Sequence, residues 1–266
     1  MYDSFHREIN YLRISVTDRC NLRCVYCMPT GGVERISHFE VLSFEEIIDF
    51  TKEAVKNGVT KVRLTGGEPL VRKGIVDLVK QIAAIPGIRD FGMTTNGVLL
   101  KRYARQLAEA GLHRVNISLD TLDKKEYSRI TRGGNLADVL AGIEAAIEAQ
   151  LTPVKLNCVI KKNRFELNAR QVASYALDNN LQVRYIHEMD LETGSFSKVE
   201  GGDGGACHKC NRLRMTSDGM LKPCLFHDFG YDIRKTGYAE AIKKAAKNKP
   251  LSGQTSNKNK FYNIGG

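Results

Sequence analysis

The sequence predicts an α/β fold, a curved and partly open barrel of six parallel strands, and three observations carry that expectation. A short β-rich run, a loop and a helical stretch recur in that order through most of the chain. Helical crossovers between successive strands favour a parallel sheet wound in one hand. The loops that follow the strands hold the unusual local sequences, a cysteine trio, GGEP, TTNG and SLD, and sheets of this kind place function at the carboxyl ends of their strands. Six units are too few to close an eight-fold barrel, so the expected form is a partial (βα)6 barrel.

Each unit can be read in turn. LRISV (12–16) runs into the cysteine loop and then a helix over SFEEIIDFTKEAVKNG, where Ser43 and Glu46 make a capping box and Gly58 supplies the stop. KVRL (61–64) leads to GGEP and a helix around IVDLVKQIAA; FGMTT (91–95) leads to Asn-Gly and the helical KRYARQLAEAG. RVNIS (114–118) continues through LDTLDKKEY to a helix over ADVLAGIEAAIEAQ. PVKLNCVI (153–160) precedes the helical FELNARQVASYALDNN, and QVRYIH (182–187) is the sixth strand. After His187 the texture changes to the Gly-rich ETGSFSKVEGGDGGA, a connector by composition. Strands are then expected on either side of Ser217-Asp218-Gly219, since Asp-Gly between two such runs signals a hairpin. A helix from Gly237 to Asn248 and a polar tail complete the chain. The division expected is a barrel over 1–190 and a small α+β unit over 191–266.

At 266 residues with 42% hydrophobic content the chain can bury a large core. No apolar run approaches membrane-spanning length, and the start, MYDSFHREINYLR, lacks the apolar segment of a signal peptide. The seven cysteines fall as a trio (Cys20, Cys24, Cys27), a singleton (Cys158) and a second trio (Cys207, Cys210, Cys224). Odd-numbered clusters suit metal ligation better than pairing, which points to the cytoplasm or another reducing compartment, the cytoplasm being the expected location. Cys158, within the apolar VKLNCVI, reads as a small buried residue. A net charge of +10 favours a polyanionic partner, whether nucleic acid, nucleotide or acidic peptide. Part of the excess, as in YAEAIKKAAKNK, is expected on the surface.

Four protein ligands are usual for zinc or a four-iron cluster, yet DRCNLRCVYCMP offers three. A four-iron cluster on Cys20, Cys24 and Cys27 would leave one iron open. The alternative is zinc completed by His6 or His38, but C-x3-C-x2-C is not a usual zinc spacing. GGEP (66–69) suits close backbone approach and the holding of a zwitterion. For the second trio, zinc with His227 as a fourth ligand and a second cluster both fit the local spacing.

C-x3-C-x2-C with Tyr26 before its last cysteine resembles the radical S-adenosylmethionine superfamily. LRISVTDRCNLRCVYCMP, LTGGEPLVR, TTNG, RVNISLDTLD, VKLNCVI, CNRLRMTSDGMLKPCLF and the final IGG together resemble the GTP 3′,8-cyclase family of molybdenum cofactor biosynthesis. The resemblance implies a lyase with two [4Fe-4S] clusters, one on each trio, and S-adenosylmethionine bound at the open iron of the first. It implies that GGEP, with Gly66, Gly67 and Glu68, holds the methionine amino group, and that Tyr26, Ser118 and Met189 also contact S-adenosylmethionine. It sets Arg13, Arg63, Thr94, Lys155, Arg212 and Arg214 toward GTP, the last two on one face of a strand. Arg184, on the sixth strand, is a further catalytic candidate beside Arg13, Arg212 and Arg214. Gly265 and Gly266 are implied to reach into the active site. A 5′-deoxyadenosyl radical would take the ribose 3′ hydrogen, and the ribose radical would attack C8 of guanine. An electron donor such as flavodoxin or ferredoxin is implied, and a homodimer is the expected assembly; a membrane is not an expected partner. Absence of an RNA-stacking aromatic motif argues against nucleic acid. The chain departs from the family between Met189 and Cys207, where residues 190–206 replace a longer stretch. A second reading is therefore a radical S-adenosylmethionine enzyme acting on a peptide or another nucleotide.

Overall fold

The computed structural model describes residues 1–29, 31–33, 35–189 and 197–253. Six parallel strands appear where the sequence sets them: β1 (Tyr11–Ser15), β2 (Lys61–Thr65), β3 (Asp90–Thr95), β4 (Arg114–Ser118), β5 (Lys155–Ile160) and β6 (Gln182–His187). The helices between them are α1 (Phe44–Lys56), α2 (Ile75–Ala83), α3 (Leu100–Glu109), α4 (Lys124–Thr131), α5 (Leu136–Glu148) and α6 (Leu167–Asp178). Both halves of the capping box of α1 form, with Glu46 N–H donating to Ser43 Oγ and Ser43 N–H to the Glu46 carboxylate. Helix α4 falls where the sequence reading runs on as a link. Its start is marked by Asp123, whose side chain accepts from Glu126 N–H at 2.7 Å.

The sheet does not end at β1. Strand β7 (Arg212–Met215) pairs with β1 in parallel, and β8 (Met220–Lys222) and β9 (Tyr231–Asp232) follow antiparallel. Among the described residues the order is β6-β5-β4-β3-β2-β1-β7-β8-β9, one open sheet of nine strands. Helices α7 (Ile233–Thr236) and α8 (Tyr238–Lys247) follow, and α8 packs against α1, β8 and β9.

Helices cover one face of the sheet and supply a continuous apolar core. Phe50 of α1, Leu78 and Ile82 of α2, Leu107 of α3 and Ile143 of α5 are fully buried with Leu12, Ile14, Leu64, Phe91 and Ile117 of the strands. Cys158 is buried in that core, as its apolar surroundings predict. The alternation of strand side chains gives the opposite face a different composition: Tyr11 and Arg13, Lys61 and Arg63, Thr94, Asn116, Asn157, and Arg184 line a cavity. Among the described residues, no helix is long and apolar enough to cross a membrane.

Candidate active site

The first trio lies on the loop leaving β1, and the glycines of GGEP explain how that loop is seated. A side chain on Gly66 would place its Cβ 2.7 Å from the Thr17 carbonyl oxygen, and one on Gly67 would meet that of Arg19 at 2.4 Å. Gly67 N–H donates to Thr17 O and Glu68 N–H to Arg19 O, so the turn after β2 grips the start of the cysteine loop. Glu68 faces inward, accepting from Thr95 Oγ1 at 2.8 Å, Asn96 N–H at 2.7 Å and Leu70 N–H at 3.0 Å. Burial outweighs these bonds and pushes its carboxyl up to about 7. Glu68 thus braces the GGEP turn against the TTNG turn, and Asn96 extends the brace through Nδ2, 3.7 Å from Cys20 Sγ and 2.8 Å from Asn21 Oδ1.

Tyr26, between Cys24 and Cys27, donates its hydroxyl to Asp120 Oδ2 at 2.7 Å, and Val159 N–H donates to Asp120 Oδ1 at 2.8 Å. Tyr26 and Asp120 line a cavity of about 200 Å³ with Val159, Lys161 and Glu188. Burial, then repulsion from its neighbours, pushes Cys24 up to about 12 and Cys27 up to about 11, and burial also raises Cys20. Three thiols this close cannot all ionise without a cationic centre between them. That is the donor chemistry a bound metal cluster satisfies, since ligation deprotonates a thiol outright. The trio therefore fits the cluster; among the described residues, no group of three His, Cys, Asp or Glu converges to hold a single metal ion.

A larger cavity of about 230 Å³ opens on the polar face of the sheet. Register sets its charge. Arg13 of β1 stands beside Arg63 of β2 and Arg214 of β7, and Tyr11 stands beside Lys61 and Arg212 in the neighbouring row. Five cations thus share three strands spaced about 4.8 Å apart, an arrangement that repels itself without an anion. Burial and then Arg214 hold Arg13 well below the usual arginine range; burial and then Arg212 lower Arg214. Arg184, Thr94 and Met189 line the same space, as do Cys207, Cys210 and Cys224. Arg63 Nη1, Arg184 Nε and Asn116 Oδ1 are buried with no hydrogen-bond partner among the described residues.

Two expected positions stand beside the cavity. Lys155 begins β5 in register with Asn116, its ammonium lowered by burial and then by Arg184. Ser118 ends β4, half-buried and in register with Asn157. Gly265 and Gly266 lie outside the described residues.

Some contributors escape the sequence reading. Lys249 is buried, donates to Arg212 O and Pro223 O at 2.6 Å each, and also bonds Cys210. Burial would raise Cys210, but Lys249, a bond from the Arg212 backbone and the charges of Arg212 and Arg214 together outweigh it and the thiol is lowered, whereas burial raises Cys224. Lys249 thus sets a buried ammonium beside Cys210 and Cys224. His227, the alternative zinc ligand, packs its ring edge-on against Phe229 at 4.0 Å, while the three cysteines line the cavity. Arg7 ties this segment to the amino terminus: it pairs with Asp3 at 2.6 Å and donates to Cys207 O and Pro250 O, each at 2.7 Å. The described part of the connector runs along the cavity, Glu200 bridging to Tyr185 of β6. Tyr11 and Lys61 were legible as the alternate positions to Arg13 and Arg63; Arg7 and Lys249 carry no local signal.

This partial barrel, with three cysteines on the loop after β1 and a glycine turn after β2, defines a radical S-adenosylmethionine protein, and the family model described as Radical SAM superfamily matches residues 14–166. The structure of Streptococcus suis SuiB bound to S-adenosylmethionine superposes with a TM-score of 0.66, at 14% identity, over 95% of this chain and 77% of that one. A protein of Pelotomaculum thermopropionicum named GTP 3′,8-cyclase is 43% identical over 281 residues, covering 88% of this chain and 86% of the relative. One of Petrotoga mobilis with the same name is 39% identical over 314 residues, covering 98% and 97%. The chain belongs to the GTP 3′,8-cyclase family. That last alignment is longer than the 266 residues of this chain, so the relative carries stretches that this chain lacks.

Proposed function

We propose that the chain is a GTP 3′,8-cyclase, converting GTP to (8S)-3′,8-cyclo-7,8-dihydroguanosine 5′-triphosphate in molybdenum cofactor biosynthesis. The observation that carries this reading is the cavity in which Arg63, Arg13 and Arg214 stand abreast, with the second cysteine trio in the same wall. A triphosphate supplies the anion these arginines lack, and guanidinium forks suit phosphate oxygens. A peptide substrate would match so many cations only by bringing several carboxylates together in one place.

Cys20, Cys24 and Cys27 would hold the first [4Fe-4S] cluster, with Gly66, Gly67, Tyr26, Ser118 and Met189 around S-adenosylmethionine. When bound, these groups supply the 5′-deoxyadenosyl radical that takes the ribose 3′ hydrogen. Arg13, Arg63, Arg212 and Arg214 hold the triphosphate, with Arg184 and Lys155 flanking and Thr94 toward the nucleoside. Holding the ribose in one orientation and keeping water out are the protein's contributions to selectivity. A second cluster would sit on Cys207, Cys210 and Cys224; Lys249 beside Cys210 supports it. Residues 1–190 would form the barrel unit and 191–266 the cluster-bearing unit, though β7 joins their strands into one sheet. The reading also places the enzyme in the cytoplasm, as a homodimer reduced by a flavodoxin or ferredoxin.

The test is an anaerobic incubation of the reconstituted protein with S-adenosylmethionine, a reductant and GTP. Formation of 5′-deoxyadenosine together with a new isomer of GTP is expected. 5′-Deoxyadenosine with GTP unchanged would reject the substrate and keep the radical chemistry.

A further inference from the structure

Tyr11 is the one uncharged side chain among the six that β2, β1 and β7 present side by side in the two rows, the others being Lys61, Arg63, Arg13, Arg212 and Arg214. It is 6% exposed. Its hydroxyl accepts from Arg63 Nε at 2.7 Å. Lys61 Nζ lies 4.9 Å from the centre of its ring and Arg212 Cζ lies 5.6 Å away, both within cation–π range. One aromatic side chain therefore touches a cation on each flanking strand and ties down a third with its oxygen.

We propose that Tyr11 is a positioning residue for the polyphosphate of the substrate, holding Arg63, Lys61 and Arg212 at the spacing that phosphate oxygens require. The inference rests on the cyclase reading for the identity of the polyanion, but the cation cluster itself is independent of it. Without the phenol, neighbouring cations would splay apart, and part of the binding energy would go into reassembling them. Arg63 Nη1, buried and without a partner among the described residues, is the donor this arrangement leaves for the ligand.

The same surroundings give the phenol an unusual charge balance. Burial alone would raise it, but Arg13, Arg63, Arg212 and Lys61 outweigh burial and bring it down to about 8. Arg184 and Arg214 also act on it from β6 and β7, while Asp90 engages Lys61 at 2.8 Å from β3. Above that pH the cluster carries its own anion. A polyphosphate must displace or reprotonate the tyrosinate, so binding takes up a proton and weakens as pH rises through about 8.

The test is equilibrium binding to the anaerobically reconstituted protein, with GTP, guanosine and inorganic tripolyphosphate as probes, between about pH 7 and pH 9.5. Tyr11→Phe keeps the ring and loses the acceptor; Tyr11→Leu loses both. Wild-type affinity for both polyphosphates is expected to fall by up to about tenfold per pH unit above pH 8, and Tyr11→Phe to flatten that fall. At pH 7, Tyr11→Phe should weaken polyphosphate about tenfold. Tyr11→Leu should weaken it further, with guanosine binding unchanged in both. Equal loss for guanosine and polyphosphate, or an unchanged pH profile in Tyr11→Phe, would reduce Tyr11 to a structural role and overturn the proposal. Wild type that binds tripolyphosphate but not GTP would reject the cyclase reading and leave the role of Tyr11 standing. Wild type that binds neither would overturn both.

Discussion

The Tyr26 hydroxyl donates to Asp120 Oδ2 at 2.7 Å, joining the cysteine loop to the end of β4. Asp120 takes its second bond from Val159 N–H, so one carboxylate fastens the loop to β4 and β5 together. Hydrogen bonds to a charged group contribute about 1.5–3 kcal/mol each. Tyr26→Phe is expected to weaken S-adenosylmethionine binding by about tenfold, and Asp120→Ala by more, because it also frees Val159. Calorimetric titration of the reconstituted variants measures this, and wild-type affinity in Asp120→Ala would show that the bond is incidental.

Gly67→Ala should fail for a steric reason, its Cβ meeting the Arg19 carbonyl oxygen at 2.4 Å. Overpacking of this kind costs about 1–3 kcal/mol, here concentrated where the cysteine loop begins. Gly31→Ala, with nothing within 4 Å of the added Cβ, is the control. Chemical denaturation and iron content should both fall for the first and hold for the second.

Glu68 predicts a pH dependence of stability. Its carboxyl ionises near 4.5 ordinarily and at about 7 in the folded protein. Below about pH 4.5 its contribution is complete; as pH rises from there to about 7 the unfolded chain ionises first and stability is lost. Glu68→Gln should flatten that decline, offset by the acceptor it removes from Asn96 N–H. Parallel declines of wild type and variant between pH 5 and 8 would assign the dependence elsewhere.

Arg7 and Lys249 make the second trio depend on residues remote from it. Arg7→Ala leaves Asp3 buried without its partner, and breaking such a pair costs about 3–5 kcal/mol. It also releases the Cys207 and Pro250 carbonyls. Lys249→Met keeps the volume and removes the charge beside Cys210. Iron analysis and electron paramagnetic resonance should show loss of the signal of the cluster proposed for the second trio, with that of the first retained. Retention of both signals in Lys249→Met would mean the ammonium serves only the two carbonyls.

Arg212→Ala with Arg214→Ala should abolish conversion of GTP while S-adenosylmethionine cleavage persists. Product analysis checks both, and unchanged conversion would remove these arginines from substrate binding.

The repeating strand and helix periodicities place all six barrel strands, and alternation along each strand separates the core face from the polar one. That was legible because both signals are local. The capping box at Ser43 and the buried Cys158 were readable for the same reason. Helix α4 was as readable in principle, through Asp123 and Glu126, but its short polar sequence lacks an apolar stripe.

What the sequence alone determined, then, is the order of elements, the two thiol trios and the residue types at strand ends. The tertiary structure decided which strand stands next to β1. Because β7 pairs there in parallel, Arg214 falls beside Arg13, and the second trio enters the same cavity as the arginines of β1 and β2. No local pattern encodes that neighbour, since pairing across some two hundred residues depends on packing of the whole sheet. The same holds for Arg7 reaching Cys207, and for Lys249 lying between Arg212 and Pro223. Long-range register brought separate basic residues into one cavity, because charges on distant segments repel one another or share an anion only when the backbone sets them abreast.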